Sequence, residues 1–504
     1  MNAPDRIADR HLREVDGLAS AADMRTLVIG ITADPAWAAS PAGQHLLTSL
    51  INSLSRLTET VTSIQLVIPS VPVVVQMPYG RATGNLGIAL AAITPWAVGA
   101  DVAVEIADQI SGVDLVLSVG PPPALPPGVT VLCAIADGWR LWVGEPRHFP
   151  AEARASTSAT PLGPYLAACF LAGEIFKMAR GVVRGRQITS LAYSLWTGTS
   201  DDWSVLDAGP ELTGLTLPPF YLVGAGAVGQ GLAAILGAAA LAGGYVVTID
   251  DDRHDRTNLN RCFLAGTTDI SAPKVQAVAR YLSGTPIVCL PHERTIAQYV
   301  SKPKPSLRSE LARSESEGQY STVVSCVDRG TSRQDIQGLR PSLILGGSTV
   351  GLSAKTNVYD FAPGTPCLGC HNPPEKDGER LRELERLLRG MTQVEQTAYL
   401  AKHVKDPGPI LEYLADEKCG SVGEGMLRDI ATASPREFSV SFVSMAAAVL
   451  LASRLFSRLL FDGVDVERPR MTSIAFLRGS VLDADLAMDA SCSRHAHKGA
   501  SDRL

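Results

Sequence analysis

The chain has 504 residues, 46% of them hydrophobic and 19% charged, which is enough for two or more folded domains with a sizeable core. Its formal net charge of −6 excludes a globally basic surface, so neither nucleic acid nor an anionic membrane is expected as a partner. Residues 1–17 are charged and lack an apolar centre, which excludes a secretory signal there, and nine cysteines in no regular framework suit a cytoplasmic protein.

In chain order, residues 24–31 read as an apolar strand, 43–57 as a helix and 64–68 as a second strand. Strand-like runs follow at 113–119 and 129–135, then a long apolar helix at 164–179. This alternation implies an α/β domain with a largely parallel sheet over residues 1–195. Where a phosphate loop would follow the first strand, the chain reads Gly30-Ile31-Thr32-Ala33-Asp34-Pro35, with one glycine. No triphosphate cradle is expected there. Residues 196–219, polar and containing Gly and Pro, read as a linker.

The second half, 220–504, opens on the most informative stretch. An apolar strand leads into Gly224-x-Gly226-x-x-Gly229 and an Ala/Leu-rich helix, the order of a nucleotide-binding unit in which backbone N–H groups meet a phosphate. A second strand ends at Asp250, whose carboxylate suits ribose hydroxyls. Then come Asp252, Asn258-Leu259-Asn260-Arg261 and, after a proline, Lys274. A redox site has no use for those two cations, whereas a triphosphate being cleaved needs them. A further strand at 322–327 ends at Asp328, placed to hold Mg²⁺ through a carboxylate oxygen. Two apolar stretches, 232–249 and 442–461, have enough turn signals or charges to be read as buried rather than membrane-spanning.

Downstream, Cys367-x-x-Cys370 is answered by Cys492-x-x-His495, three thiolates and an imidazole suited to tetrahedral Zn²⁺, with His497 and His371 as alternative nitrogen ligands. Cys169, Cys289 and Cys326 sit in apolar runs and read as core thiols. Residues 371–425 are charged and helical in pattern, with Leu381, Leu384, Leu387 and Leu388 forming a stripe read as packing. This segment ends in a glycine-flanked stretch that holds Cys419, an open setting for a thiol nucleophile.

The order GxGxxG, D-x-D, N-L-N-R, P-K and a strand ending in Asp resembles the active adenylation domain of ubiquitin-activating enzymes and of the ThiF and MoeB sulfur-carrier adenylyltransferases. Cys262 and Arg329 depart from the Gln and Asn common after the corresponding Arg and Asp. The resemblance implies an α/β fold of two Rossmann-like, adenylation-type domains, the N-terminal one degenerate and the C-terminal one active, with a helical catalytic-cysteine insertion and a zinc site. It implies that ATP and Mg²⁺ are held by Gly224, Gly226, Gly229, Asp250, Asp252, Asn258, Arg261, Lys274 and Asp328. It also implies an arginine over the γ-phosphate from the other domain's N-terminal segment, here Arg6, Arg10 or Arg13. The implied reaction adenylates the C-terminal glycine of a ubiquitin-like protein, acylates Cys419 and passes the thioester to a conjugating enzyme. Activation of a sulfur carrier or small peptide without conjugation is the alternative; homodimer formation is left open. Some bacterial systems of this kind act in defence against phage, a role that nothing in these residues shows.

Overall fold

The structure, a computed structural model, describes residues 6–12, 25–124, 128–182, 186–301, 320–360, 364–372, 377–401, 403–404, 406–415, 426–427, 430–431, 438–461, 468–489 and 492. These fall into two compact units, Met1–Asn372 with Phe438–Leu504, and Pro373–Glu437.

The first unit holds two sheets. One comprises β1 (Leu27–Ala33), β2 (Val61–Val67), β3 (Ala103–Ile106), β4 (Leu115–Val119), β5 (Thr130–Asp137), β6 (Arg140–Gly144) and β7 (Ser190–Ser194), ordered β3-β2-β1-β4-β5-β6-β7. The other comprises β8 (Phe220–Val223), β9 (Gly244–Ile249), β10 (Ile287–His292), β11 (Thr322–Ser325), β12 (Leu343–Val350), β13 (Ser353–Tyr359), β14 (Met471–Ala475) and β15 (Ser480–Ala484), ordered β10-β9-β8-β11-β12-β13-β14-β15. In each, the first five strands are parallel and the rest antiparallel. With β8 matched to β1, strand order and direction agree, so the chain contains two Rossmann-like halves. The central strands are apolar on both faces because helices cover both sides; every residue of β4 and β8 is buried.

The halves are joined through their long helices. Leu162–Ala179 packs against Ser441–Leu460, and each also carries its own half's first long helix, Pro41–Ser55 or Ala227–Ala238. Phe176 meets Phe438 and Phe442 with ring centroids 5.8 and 5.7 Å apart. Gly173 brings the helix so close to Phe476 that an added Cβ would stand 2.8 Å from its ring. One apolar core runs through both halves. Each large side chain buried there contributes ~1.5–3 kcal/mol. The two long helices are long and apolar enough to cross a membrane, but they are buried in this core.

Several boundaries differ from the sequence reading. β1 runs on to Ala33, past Gly30, while β11 stops at Ser325 and leaves Asp328 in the following loop. β3 is a mostly exposed edge strand and so carries no apolar signature. Residues 201–219 form no helix or strand, yet they are packed: Trp203, Leu206, Leu212 and Leu217 are buried, and the indole of Trp139 donates to the Pro210 carbonyl at 2.8 Å.

The second unit contains helices Asp377–Arg389, Gln393–Leu400 and Gly408–Ala415 around a core of Leu381, Leu388, Leu400, Ile410 and Leu414. Leu384 packs on that core, whereas Leu387 is 50% exposed. Cys419 lies outside the described residues.

Candidate functional site

The glycine loop follows β8. Gly224 has φ +97°, and a Cβ there would stand 2.7 Å from the Cys326 carbonyl, so this position is reserved for glycine by both conformation and contact. Gly229 is packed just as closely, its Cβ position lying 2.0 Å from the Gly224 carbonyl oxygen. Gly226 differs from both. A Cβ there would meet no described atom within 4 Å, and Gly226 caps the Ala227–Ala238 helix without a side chain. The loop thus opens at the helix N-terminus, where unpaired N–H groups and the helix dipole favour an anion.

Asp250 closes one side of this loop. Its Oδ2 accepts from the Ala225 N–H at 2.6 Å and its Oδ1 from the Asp252 N–H at 2.8 Å. Burial raises its pKa above the usual carboxylate value, against the opposing pull of the Lys274 charge and those two backbone donors. Lys274 starts the Lys274–Leu282 helix and donates through Nζ to Asp252 at 2.8 Å. Burial lowers the Lys274 pKa, but Cys262, Asp250 and Asp252 outweigh it, so the ammonium stays charged.

Asn258 is buried in the 3-10 turn Arg256–Asn260, whose N-terminus is capped by Asp255 accepting from the Asn258 N–H at 3.0 Å. Arg261 leaves this turn and donates to the Thr257 carbonyl at 2.8 Å and to Asn260 Oδ1 at 2.7 Å. Burial lowers its pKa to about 10; the neighbouring charge of Arg10 lowers it further, and those of Cys262, Asp255 and Asp328 oppose this. Asp328 itself is exposed, in the loop before the Gly330–Gly338 helix.

Arg10 comes from the other end of the chain. The 3-10 turn Ile7–Asp9 lies against Arg256–Asn260, with Ile7 and Ala8 buried. His11 anchors the segment through Nε2 and the Thr58 carbonyl at 2.9 Å, and Arg180 donates to the His11 carbonyl at 3.0 Å. Arg6 points elsewhere, pairing with Glu59 at 3.2 Å, and the Nε of Arg10 is buried with no hydrogen-bond partner among the described residues. Arg13 lies outside the described residues. Two cations of different halves, Arg10 and Arg261, therefore neighbour each other at the 256–260 turn.

The thiols of Cys367, Cys370 and Cys492 lie together, all within 4.8 Å, with Cys367 Sγ 3.8 Å from each of the other two. Tetrahedral zinc thiolates at ~2.3 Å from the metal stand ~3.8 Å apart, so the trio fits such an ion. His371 is not part of the cluster and faces Tyr359 instead; His495 and His497 lie outside the described residues.

Sequence reasoning missed Gln230, His254 and Asp255. Gln230 is fully buried; its amide donates to the Ala225 carbonyl at 3.0 Å, lies 3.2 Å from His254 Nε2 and accepts from the Leu264 N–H at 3.2 Å. It ties the glycine loop to the turn that carries Arg261. A polar residue inside an otherwise apolar helix was the available signal.

The description "ThiF family" matches residues 219–493, more than half of the chain, and "BilD N-terminal domain" matches residues 28–192. An uncharacterized protein of Sinorhizobium fredii (strain NBRC 101917 / NGR234), y4jF, is 24% identical over 241 residues, 47% of this chain and 43% of that protein. The chain therefore matches less than half the length of this curated relative. Crystal structures of E. coli MccB with MccA-N7isoASN and with ATP are each 13% identical over 55% of this chain and 66% of that one, with TM-scores of 0.31 and 0.30.

Proposed function

Because the chain belongs to the ThiF family, we propose that it is an adenylyltransferase that uses ATP to activate the C-terminal carboxylate of a ubiquitin-like protein. The observation that carries this reading is the glycine loop that opens at a helix N-terminus and is bordered by Asp250, with the Ile7–Asp9 turn of the other half lying against the turn that precedes Arg261. An open helix N-terminus favours an anion, and like charges brought together call for one as well.

In this reading the triphosphate lies along Gly224, Gly226 and Gly229, and Asp250 receives the ribose, with Asn258 and Asp252 shaping the same wall. The carboxylate of the partner attacks the α-phosphate, its new P–O bond replacing the bond to pyrophosphate. Arg261, Lys274 and Arg10 stabilise the charge that moves onto the departing phosphates, so catalysis rests on positioning and electrostatics. Asp328 would hold Mg²⁺, which offsets phosphate charge when bound. Cys367, Cys370 and Cys492, with His495, would hold a structural Zn²⁺. The acyl-adenylate then acylates Cys419, releasing AMP, and the thioester passes to a conjugating enzyme.

The test is ATP–pyrophosphate exchange and intact-mass spectrometry without reductant, using a candidate protein ending in glycine. Partner-dependent exchange and a thiol-sensitive adduct that is absent in Cys419→Ala support the full reading. Exchange and AMP formation without an adduct reduce it to activation of a sulfur carrier or peptide. Absence of Mg-ATP binding by the wild-type chain overturns it.

A further inference from the structure

The N-terminal half also reaches the site from behind, through a buried charge whose hydrogen bonds among the described residues go to backbone carbonyls and one side-chain amide. Arg56 ends the Pro41–Ser55 helix and is fully buried. Its guanidinium crosses into the other half, donating to the carbonyls of Leu259 at 2.6 Å, Phe263 at 3.1 Å and Ala265 at 3.0 Å. Its Nε donates to Asn52 Oδ1 at 2.9 Å, and Asn52 Nδ2 donates in turn to the Phe263 carbonyl at 3.0 Å. The indole of Trp96 lies 5.7 Å from the guanidinium carbon. Arg56 thus grips backbone on both sides of Arg261.

A buried cation satisfied by neutral carbonyls costs stability relative to an apolar side chain. Burial lowers the Arg56 pKa to about 10, in keeping with that cost. The corresponding junction on the pseudo-symmetric side does without such a charge. There Leu236, Gly237, Ala240 and Leu241 at the end of the Ala227–Ala238 helix face Val73–Gln76 and Arg81 across a cavity of about 350 Å³. The arginine on that side, Arg81, is exposed and reaches a single carbonyl, that of Gly284. Of the two junctions, the one behind the 256–265 segment is the one that commits a buried arginine to three carbonyls.

We propose that Arg56 is a positioning residue by which the degenerate half sets the backbone of residues 259–265 and so aims Arg261 at the nucleotide. Its planar fork reaches three carbonyls at once, which the point charge of a lysine cannot do. This rests on the adenylation reading for its catalytic consequence, but not for its structural one.

The experiment compares wild type, Arg56→Lys, Arg56→Met and Arg81→Ala, the last removing the tether to the Gly284 carbonyl at the opposite junction. Amide hydrogen exchange on the free protein is measured first. Both Arg56 variants should exchange faster over 259–265 than wild type, with the glycine loop unchanged, and Arg81→Ala should not. In ATP–pyrophosphate exchange, kcat should fall ~10²-fold in Arg56→Met, the scale of a displaced catalytic group, while KM for ATP moves less than about threefold. Arg56→Lys should recover less than about a tenth of that loss. Should Arg56→Met not fold, Asn52→Ala replaces it, with the same signs and smaller size. Unaltered exchange over 259–265 in the variants overturns the inference whatever the activity. A wild-type chain that lacks pyrophosphate exchange, alongside faster amide exchange in the variants, overturns the adenylation reading and leaves Arg56 as the clamp.

Discussion

The first loops of the two halves share a frame and differ in what fills it. In the C-terminal half, Gly229 packs under the Gly224 carbonyl, and Gln230 ties the Ala225 carbonyl to the Leu264 N–H. In the N-terminal half, Gly43 packs under the Trp37 carbonyl so closely that an added Cβ would stand the same 2.0 Å from its oxygen, and Gln44 ties the Ala38 carbonyl at 3.0 Å to the Val74 N–H at 2.8 Å. Trp37 thus stands where Gly224 stands, and Ser40 where Gly226 caps the helix. The Ser40 hydroxyl accepts from the Gly43 N–H at 3.0 Å, and Asp34 accepts from the Ala36 N–H at 2.9 Å and from Trp37 at 3.4 Å. Amides left open in one half are used up by side chains in the other. A site can therefore be lost while its scaffold is kept, because the Gly-Gln tie concerns folding and the open amides concern the ligand.

This contrast can be broken at several points. The largest effect is expected for Arg261→Ala or Asp328→Ala, each costing on the order of 10²-fold in ATP–pyrophosphate exchange, the scale of one lost electrostatic clamp. Normal exchange in both would remove the C-terminal half's claim to the chemistry. Next, Trp37→Ala should destabilise the chain by ~3–5 kcal/mol in urea unfolding, the cost of emptying a buried aromatic site. It should still leave one nucleotide bound per chain by calorimetry, since Ser40 and Asp34 keep the amides occupied; a second bound nucleotide would mean that Trp37 alone closes the site.

A smaller contrast separates two glycines of one motif. Gly224→Ala should cost ~1–3 kcal/mol of stability, because its φ is +97° and its Cβ meets the Cys326 carbonyl. Gly226→Ala should melt like wild type yet bind Mg-ATP at least ~10-fold more weakly, about 1.4 kcal/mol, because its methyl group enters the open space. If it binds normally, the phosphates lie elsewhere.

The smallest effect concerns pH. Burial holds His11, His45 and His254 at about 4 rather than 6.5. The unfolded chain then binds more protons between those values, so the stability from keeping these rings neutral is full above pH 6.5 and declines as pH falls toward 4. Each histidine should account for under about 1 kcal/mol in the first pH unit below 7. Urea midpoints at pH 7 and 6 should converge when His45 or His254 is changed to Gln; an unaltered difference would show that burial there is not costly.

How far the residues could be read depended on where the information lies. Gly224 to Lys274 was legible because each position serves a local backbone need or a charge at fixed spacing. The N-terminal phosphate loop was legible as a loss, since one glycine cannot replace three. For the tie through Gln44 and Gln230, a buried amide in an apolar helix was a signal that something is bonded, but its far partners, Val74 and Leu264, are 30 or more positions away and no local pattern names them. Edge strand β3 was hidden because it is mostly exposed, and the packed stretch 201–219 because partners such as Trp139 are distant in the chain. That Arg10 neighbours Arg261 while Arg6 pairs with Glu59 was equally beyond spacing, for it depends on Glu59 and Thr58 holding the segment in one register.

By itself, then, the sequence determined the α/β class, the glycine loop, the order of the carboxylates and cations, and the thiol pairs, because these depend on short-range backbone geometry and charge. Only the tertiary structure decided that the halves share one core and that Arg10 and Arg56 of one half approach the Arg261 turn of the other; that Cys492 joins Cys367 and Cys370 was expected from spacing and is seen in the fold. The contacts between the halves join residues some 200 to 270 positions apart, about two apolar helices that bury each other, and no local pattern encodes their register.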